Sequence, residues 1–392
     1  MRESWRWFGP GDPVTLEDIR QTGVADVVSA LHDVPIGETW SLQATRDHMA
    51  LIENTPPGLS PLRWSVVESI PVHDDIKLAR PDHEKYVQAW IDSMSNLAQC
   101  DIRTICYNFM PVIDWTRTDL RYRLPSGVYA LRFDQAQFAA FDLFILERQN
   151  GENDYSAAEI EAAKATYDAM SEDDRERLTR NIIAGLPGRM TDSYGLPEFR
   201  RALSNYEGVD HATLRDNLCA FLARVLPVAE ELGVKLAIHP DDPPRDMLGL
   251  PRIVCTADDL DELFARAPGA ANGMTLCVGT YGSRPDNDLP GMAKRFAERI
   301  HFAHLRGVRR DPQEQRSFFE ASHLDSDVDM IAVISALLRN EADGDREIYF
   351  RPDHGHQMMS DLDRPSNPGY SAIGRLKGLA ELRGAIKALS YR

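Results

Sequence analysis

Nowhere in this chain does an apolar run approach the length needed to cross a bilayer, and the opening MRESWRWFGP lacks the apolar stretch of a secretory leader. Cysteine is scarce: Cys100, Cys106, Cys219, Cys255 and Cys277 are odd in number and scattered, which does not make a disulfide scaffold. Positive charge is also short. Against 61 Asp and Glu stand 44 Lys and Arg, a net charge of −17 that argues against nucleic acid or an anionic membrane as partner. No repeat shows at solenoid periods, and no convincing dinucleotide fingerprint is present, so no nucleotide cofactor is expected. These absences leave a reduced cytoplasmic enzyme as the expectation. Any anionic substrate must then be held by locally placed Arg, Lys or metal, because the overall field repels it.

What is present reads as a globular α/β protein. Hydrophobic residues make up 43 % of the 392 positions and charged ones 27 %, enough for a large core. Eight short β-rich runs, at 5–8, 26–31, 63–68, 103–109, 234–239, 274–278, 301–306 and 347–353, alternate with helical patterns such as PVTLEDIRQTG, HATLRDNLCAFLARVLPVAEELG and DVDMIAVISALLRN. Eight strand–helix units predict a (β/α)₈ TIM barrel as a single domain over 1–392, with an open doubly wound sheet as the alternative. The crossover from the fourth strand to the fifth is too long for a loop. It carries DYSAAEIEAAKATYDAMSEDDRERLTRNIIAGLPG, so a helical insertion at about 118–212 is expected, a lid, a dimer contact or both.

The last four strands end in VKLAIHP, MTLCVGT, HFAHLR and YFRPDHGH. Period-two alternation turns Ala237 and His239 inward, likewise Thr275 and Cys277, Phe302 with His304 and Arg306, and Tyr349 with Arg351 and Asp353. Each polar residue alone has an ordinary explanation: a core histidine, a small buried thiol, a cap. Together, two imidazoles, a thiol and a carboxylate at the C-terminal mouth of four successive strands make a first shell for a divalent metal. On ligand chemistry alone, zinc would serve as readily as any other ion.

Long ordered stretches carry a family resemblance: WRWFGPGDPVTLEDIR, VVSALHDVPIGE, WSVVESIPVHDDIK, CYNFMPVIDWTRTDL, AIHPDDPP, GLPRIV, RPDNDL, HLR, RPDHGHQM and NPGYSAIGRLKGLAE. Over essentially its whole length the chain resembles the mannonate dehydratases. The resemblance implies a barrel that uses Mn²⁺ or Fe²⁺ to convert D-mannonate to 2-dehydro-3-deoxy-D-gluconate, with His239, Cys277, His304 and Asp353 as ligands. It also implies acid/base roles for His354 and Tyr370, without saying which takes the C2 proton. In RPDHGHQ, Gly355 is expected to let the backbone leave the strand so that His354 swings toward the substrate, with His356 in a hydrogen-bonding role.

Other residues are weaker substrate-binding candidates. Arg306 and Arg351 suit a carboxylate but could equally pair with neighbouring acids. Glu68, Asn108 and His32, near earlier strand ends, could reach sugar hydroxyls, although a structural hydrogen bond accounts for each as well. Trp7 and Trp115 could shape the pocket or pack in the core. Asp241 or Asp242 could orient His239 or cap a turn. A homo-oligomer is expected. The rival readings are a metal-dependent sugar isomerase or epimerase on a similar barrel, which the Cys277 thiol counts against, and a sugar-acid-binding protein without turnover.

Overall fold

The computed structural model describes residues 1–183, 195–344 and 346–391. Its strands, in chain order, are β1 (Arg2–Arg6), β2 (Asp26–Ser29), β3 (Arg63–Glu68), β4 (Thr104–Tyr107), β5 (Asp119–Arg123), β6 (Tyr129–Phe133), β7 (Lys235–Ile238), β8 (Asn272–Cys277), β9 (Ile300–His304), β10 (Gly307–Arg310), β11 (Phe318–Ala321) and β12 (Tyr349–Arg351). Eight of them, β1-β2-β3-β4-β7-β8-β9-β12, close a parallel barrel, so closure rather than the open sheet is what forms. Alternation sorts their side chains. Val28, Val66, Cys106, Ala237 and Phe302 fill the interior, while Val27, Val67, Ile105, Leu236, Leu276, Ala303 and Phe350 face the helices.

Helix ends follow their local chemistry. Thr15 and Asp18 form a capping box at the start of Leu16–Gln21, and Asp210 caps the long helix His211–Glu231, after which Gly233 takes φ +64°. The helices Met330–Gly344 and Ala372–Ser390 pack over the barrel's closing strands.

Three sequence expectations need correction. The insertion is not purely helical: it begins with the β5–β6 hairpin before the helices Gln135–Ala140, Ala157–Ala169, Glu172–Ile183 and Leu196–Ser204. Part of the expected insertion, 184–194, lies outside the described residues, as does the AGLPG end of its helical segment. Second, β10 and β11 follow β9 immediately and join the insertion hairpin in an antiparallel sheet, β10-β11-β6-β5. Phe133 and Phe318 stack across it with ring centres 5.8 Å apart, in a second core with Phe138, Phe141, Phe199 and Met247. Third, β1 spans Arg2–Arg6 rather than 5–8, and alternation turns Arg6 into the barrel with Trp5 and Trp7 toward the helices.

Candidate metal centre and active site

Register sets the level of the site. Cys277 pairs with His304 across β8–β9, and His304 pairs with Arg351 across β9–β12, so three strands deliver their last side chains to one height. His239 follows β7, its backbone N–H donating to the Tyr107 carbonyl at 2.7 Å. Ligand atoms of His239, Cys277 and His304 lie within 4.8 Å of one another. His239 Nδ1 is 2.7 Å from the Pro240 carbonyl, so Nδ1 carries the proton and Nε2 keeps its lone pair. Burial lowers the pKa of His239, against the pull of Glu68, Asp242 and Asp353, so the neutral ligand form is favoured. His304 Nε2 is buried and makes no well-aligned hydrogen bond, its neighbouring carboxylate oxygen being Glu68 Oε2 at 3.4 Å. Two imidazoles and a thiol converging in one largely buried cluster fit a divalent cation.

Asp353 stands at the edge of this cluster, its Oδ2 3.7 Å from Cys277 Sγ. Oδ2 also accepts from Arg306 Nε at 2.6 Å, and Oδ1 accepts from Arg351 Nη1. Burial would raise its pKa, but Arg351 above all, with His354 and Arg306, holds it well below the ordinary carboxylate range. An ionised carboxylate is what a fourth ligand requires. A second group of donors, Glu68, Cys106 and His304, sits deeper in the barrel, but Glu68 is committed to Arg351 and Arg6.

Beside the cluster, His354 is buried and its Nδ1 lies 2.7 and 2.8 Å from the two oxygens of Glu320. Donation from Nδ1 leaves Nε2, 3.7 Å from Asp353 Oδ1, with the lone pair. Glu320 is clamped in turn by Arg306 Nη1 at 2.7 Å and Arg117 Nη2 at 3.3 Å. Burial would raise the pKa of Glu320, yet Arg306, His354 and Arg117 bring it down to about 2. Tyr370 packs edge-on against His354 with ring centres 4.9 Å apart, and Trp115 does the same at 6.0 Å. Burial pushes the Tyr370 phenol up to about 12, with Arg351 opposing.

The family model described as D-mannonate dehydratase (UxuA) matches residues 1–392. The chain belongs to the D-mannonate dehydratase family. A mannonate dehydratase of Chromohalobacter salexigens is 53 % identical over the full length of both chains, and one of Brucella canis is 52 % identical over 99 % of this chain and 97 % of its own. The crystal structure of mannonate dehydratase from Streptococcus suis serotype2 superposes with a TM-score of 0.77 at 32 % identity, over 99 % of this chain and 93 % of that one. A xylose isomerase-like TIM barrel protein from Mycobacterium smegmatis, in complex with magnesium, shares the fold alone, at 12 % identity and a TM-score of 0.52. The family is one of metal-dependent dehydratases, and this chain carries groups able to ligate a metal.

Within this family member the remaining candidates fall into place unevenly. Arg306 reaches Asp353, Glu320 and Asp242, and Arg351 reaches Glu68 and Asp353, so both are paired with acids of the protein itself. Glu68 lies in that network and not among free hydroxyl binders. Asn108 is half-buried just past β4, and His32 half-buried past β2, its ring 5.7 Å from Phe8. Trp7 is corrected: it shares the helix-facing side with Trp5 and packs on His48 of helix Leu42–Glu53, rings 5.6 Å apart. Arg6 points inward to Glu68 instead, and Phe8 meets Tyr370 edge-on at 4.7 Å. Neither Asp241 nor Asp242 bonds His239. Asp241 accepts from the backbone of Ile253 and Val254, and Asp242 holds Arg117 and Arg306.

Gly355 is needed for a reason other than the one expected. The backbone turns at Asp353, which takes φ +61°. A Cβ on Gly355 would fall 2.2 Å from Arg375 N and 2.4 Å from Gly374 C, so the glycine permits close approach of helix Ala372–Ser390. Besides Arg6 and Arg117, the residue that sequence reasoning missed altogether is Glu320. Its signal was the short alternation SFFEA, separated from RGVRR by the polar stretch DPQEQR, which together spell a hairpin.

Proposed function

We propose that this protein removes water from D-mannonate to give 2-dehydro-3-deoxy-D-gluconate, a step of hexuronate breakdown. The observation that carries the reading is the carboxylate-held His354 beside the His239, Cys277 and His304 cluster, in a chain 53 % identical to a mannonate dehydratase.

The C2 proton of an aldonate is a weak acid, because its loss places a second negative charge next to an ionised carboxylate. His239, Cys277, His304 and Asp353 would hold a divalent cation, Mn²⁺ or Fe²⁺, which when bound supplies a Lewis acid against that charge. His354 takes the C2 proton on Nε2, since Nδ1 is committed to Glu320, and the ionised Glu320 stabilises the imidazolium that forms. Tyr370 keeps its proton at neutral pH and donates it to the departing C3 hydroxyl, which is otherwise a poor leaving group. The enol product then tautomerises to the ketone. Arg306 and Arg351 keep Asp353 and Glu320 ionised and fixed.

Incubation of the purified protein with D-mannonate and Mn²⁺ should yield a 2-keto-3-deoxy acid. Formation of an epimer or a ketose isomer with no keto-deoxy product would overturn the reading. The roles are separable by solvent deuterium exchange at C2: His354→Asn should abolish exchange, and Tyr370→Phe should retain exchange while stopping water loss. We also infer a cytoplasmic setting, which the free, unpaired state of all five cysteines supports. A homo-oligomer is supported by Ile331 and Leu376, apolar and exposed on two adjacent helices. Light scattering after gel filtration reads that state.

A further inference from the structure

Arg245 lies on the loop that leads from β7 to helix Ala257–Arg266. Its Nη1 is buried and meets no acceptor, and its guanidinium forms no ion pair among the described residues, the charge of Glu314 acting on it only from farther off. The face of Phe133, 5.5 Å from Cζ, gives a cation–π contact but accepts none of its N–H groups in a hydrogen bond. Burial, then Arg316 and Arg284, lowers its pKa to about 10, which marks a corner where three guanidinium groups gather. The side chain opens onto a cavity of about 400 Å³, walled by Phe138 and Tyr155 of the insertion, His211, Leu248 and Arg316. None of His239, Cys277, His304, Asp353, His354 or Tyr370 lines it.

The other charged groups of that wall have partners. Asp154 holds Arg148, Asp210 caps the helix at Thr213 N, Asp246 holds His211, and Arg316 pairs with Glu159 and Glu314. Arg245 is the uncompensated charge. Arg245 is half-buried, with Nη1 shut off from water, and a partly desolvated guanidinium without an ion-pair partner is costly. We propose that this cavity binds a small organic oxyanion, a carboxylate or a phosphate monoester, with its anionic group on Arg245 and its carbon skeleton against Phe138 and Leu248. Both kinds of ligand present the compact set of oxygens that a guanidinium fork takes, and the cavity volume suits a molecule of a few carbons.

Titration calorimetry of the metal-loaded protein with glycerol 3-phosphate and with glycerate tests the site, the two probes differing in the anionic group. At least one should bind the parent, and Arg245→Gln should weaken that binding by about tenfold or more while leaving turnover of D-mannonate at the parent rate. Without probe, Arg245→Gln and Arg245→Met should melt at or above the parent, because each removes a half-buried cation that has no ion-pair partner. The proposal is overturned if neither probe binds, or if binding is unchanged in Arg245→Gln. It is equally overturned if both variants melt well below the parent, the mark of an ordinary structural arginine.

Discussion

His354 illustrates how much of a residue's role is set by what lies behind it. Its imidazole is held through Nδ1 by a carboxylate that two arginines keep ionised, so orientation and tautomer are fixed together. Glu320→Gln keeps the shape and removes the charge. We expect kcat to fall by about 10²-fold with KM changed by no more than about twofold, read by steady-state kinetics on D-mannonate. An unchanged kcat would remove Glu320 from the account. Gly355→Ala sets a steric test: its methyl would meet backbone atoms of Gly374 and Arg375, which cannot swing aside as a side chain tip can. The expected loss is about 1–3 kcal/mol or more in urea unfolding, with lower turnover because His354 is next in the chain; an unaltered midpoint would show that the helix yields freely. At this scale the sequence was legible where a strand is buried on both faces, since alternation alone turned Cys277, His304 and Arg351 inward. It failed at Trp7, because an aromatic residue reads equally as pocket wall or core until its face is known, and at Glu320, because a four-residue strand holds too few residues to declare a period.

Among the elements, the eight barrel strands were readable because near-continuous apolar runs are what a sheet covered by helices requires. The second sheet was not. β5 reads DLRYR and β10 reads GVRR, partly exposed and charged, so hydrophobicity says little and only pairing defines them. Yet β11 is what brings Glu320 to His354. Helix Leu42–Glu53 carries a different consequence. Its His48 sits between Trp7 and Trp64, with Nε2 2.9 Å from Ser29 Oγ, and burial lowers its pKa to about 4 against the pull of Asp33. His301 on β9 is likewise lowered to about 4, by burial first. In the unfolded chain both titrate near 6.5, so between about pH 6.5 and 4 the unfolded state binds more protons. Stability is therefore full above pH 6.5 and is lost as pH falls toward 4, by something of order 3 kcal/mol for each histidine. His48→Gln, neutral throughout, should lose less stability than the parent between pH 7 and 4.5 in urea unfolding. Parallel curves would show that His48 does not contribute to the acid limb.

The whole molecule is a barrel stitched to its insertion. Met247 and Leu248, from the loop after β7, and Val308 and Phe318, from the hairpin after β9, belong to the insertion's own core. We read 1–392 as one domain for that reason. Tryptophan fluorescence and far-ultraviolet circular dichroism should then report coincident unfolding, whereas two separated transitions would mark the insertion as independent. Closure of the barrel was not legible in the sequence, since no local pattern states which edge strands meet. The account as a whole turns on where a cation sits, and cobalt answers that most directly. The protein, stripped by chelator and reloaded with Co²⁺, should bind one ion per chain and show thiolate-to-cobalt charge-transfer absorption. That band, and turnover, should be lost in Cys277→Ser and kept in Cys106→Ser. A band that survived in Cys277→Ser and vanished in Cys106→Ser would place the ion in the deeper Glu68, Cys106 and His304 group and contradict the account.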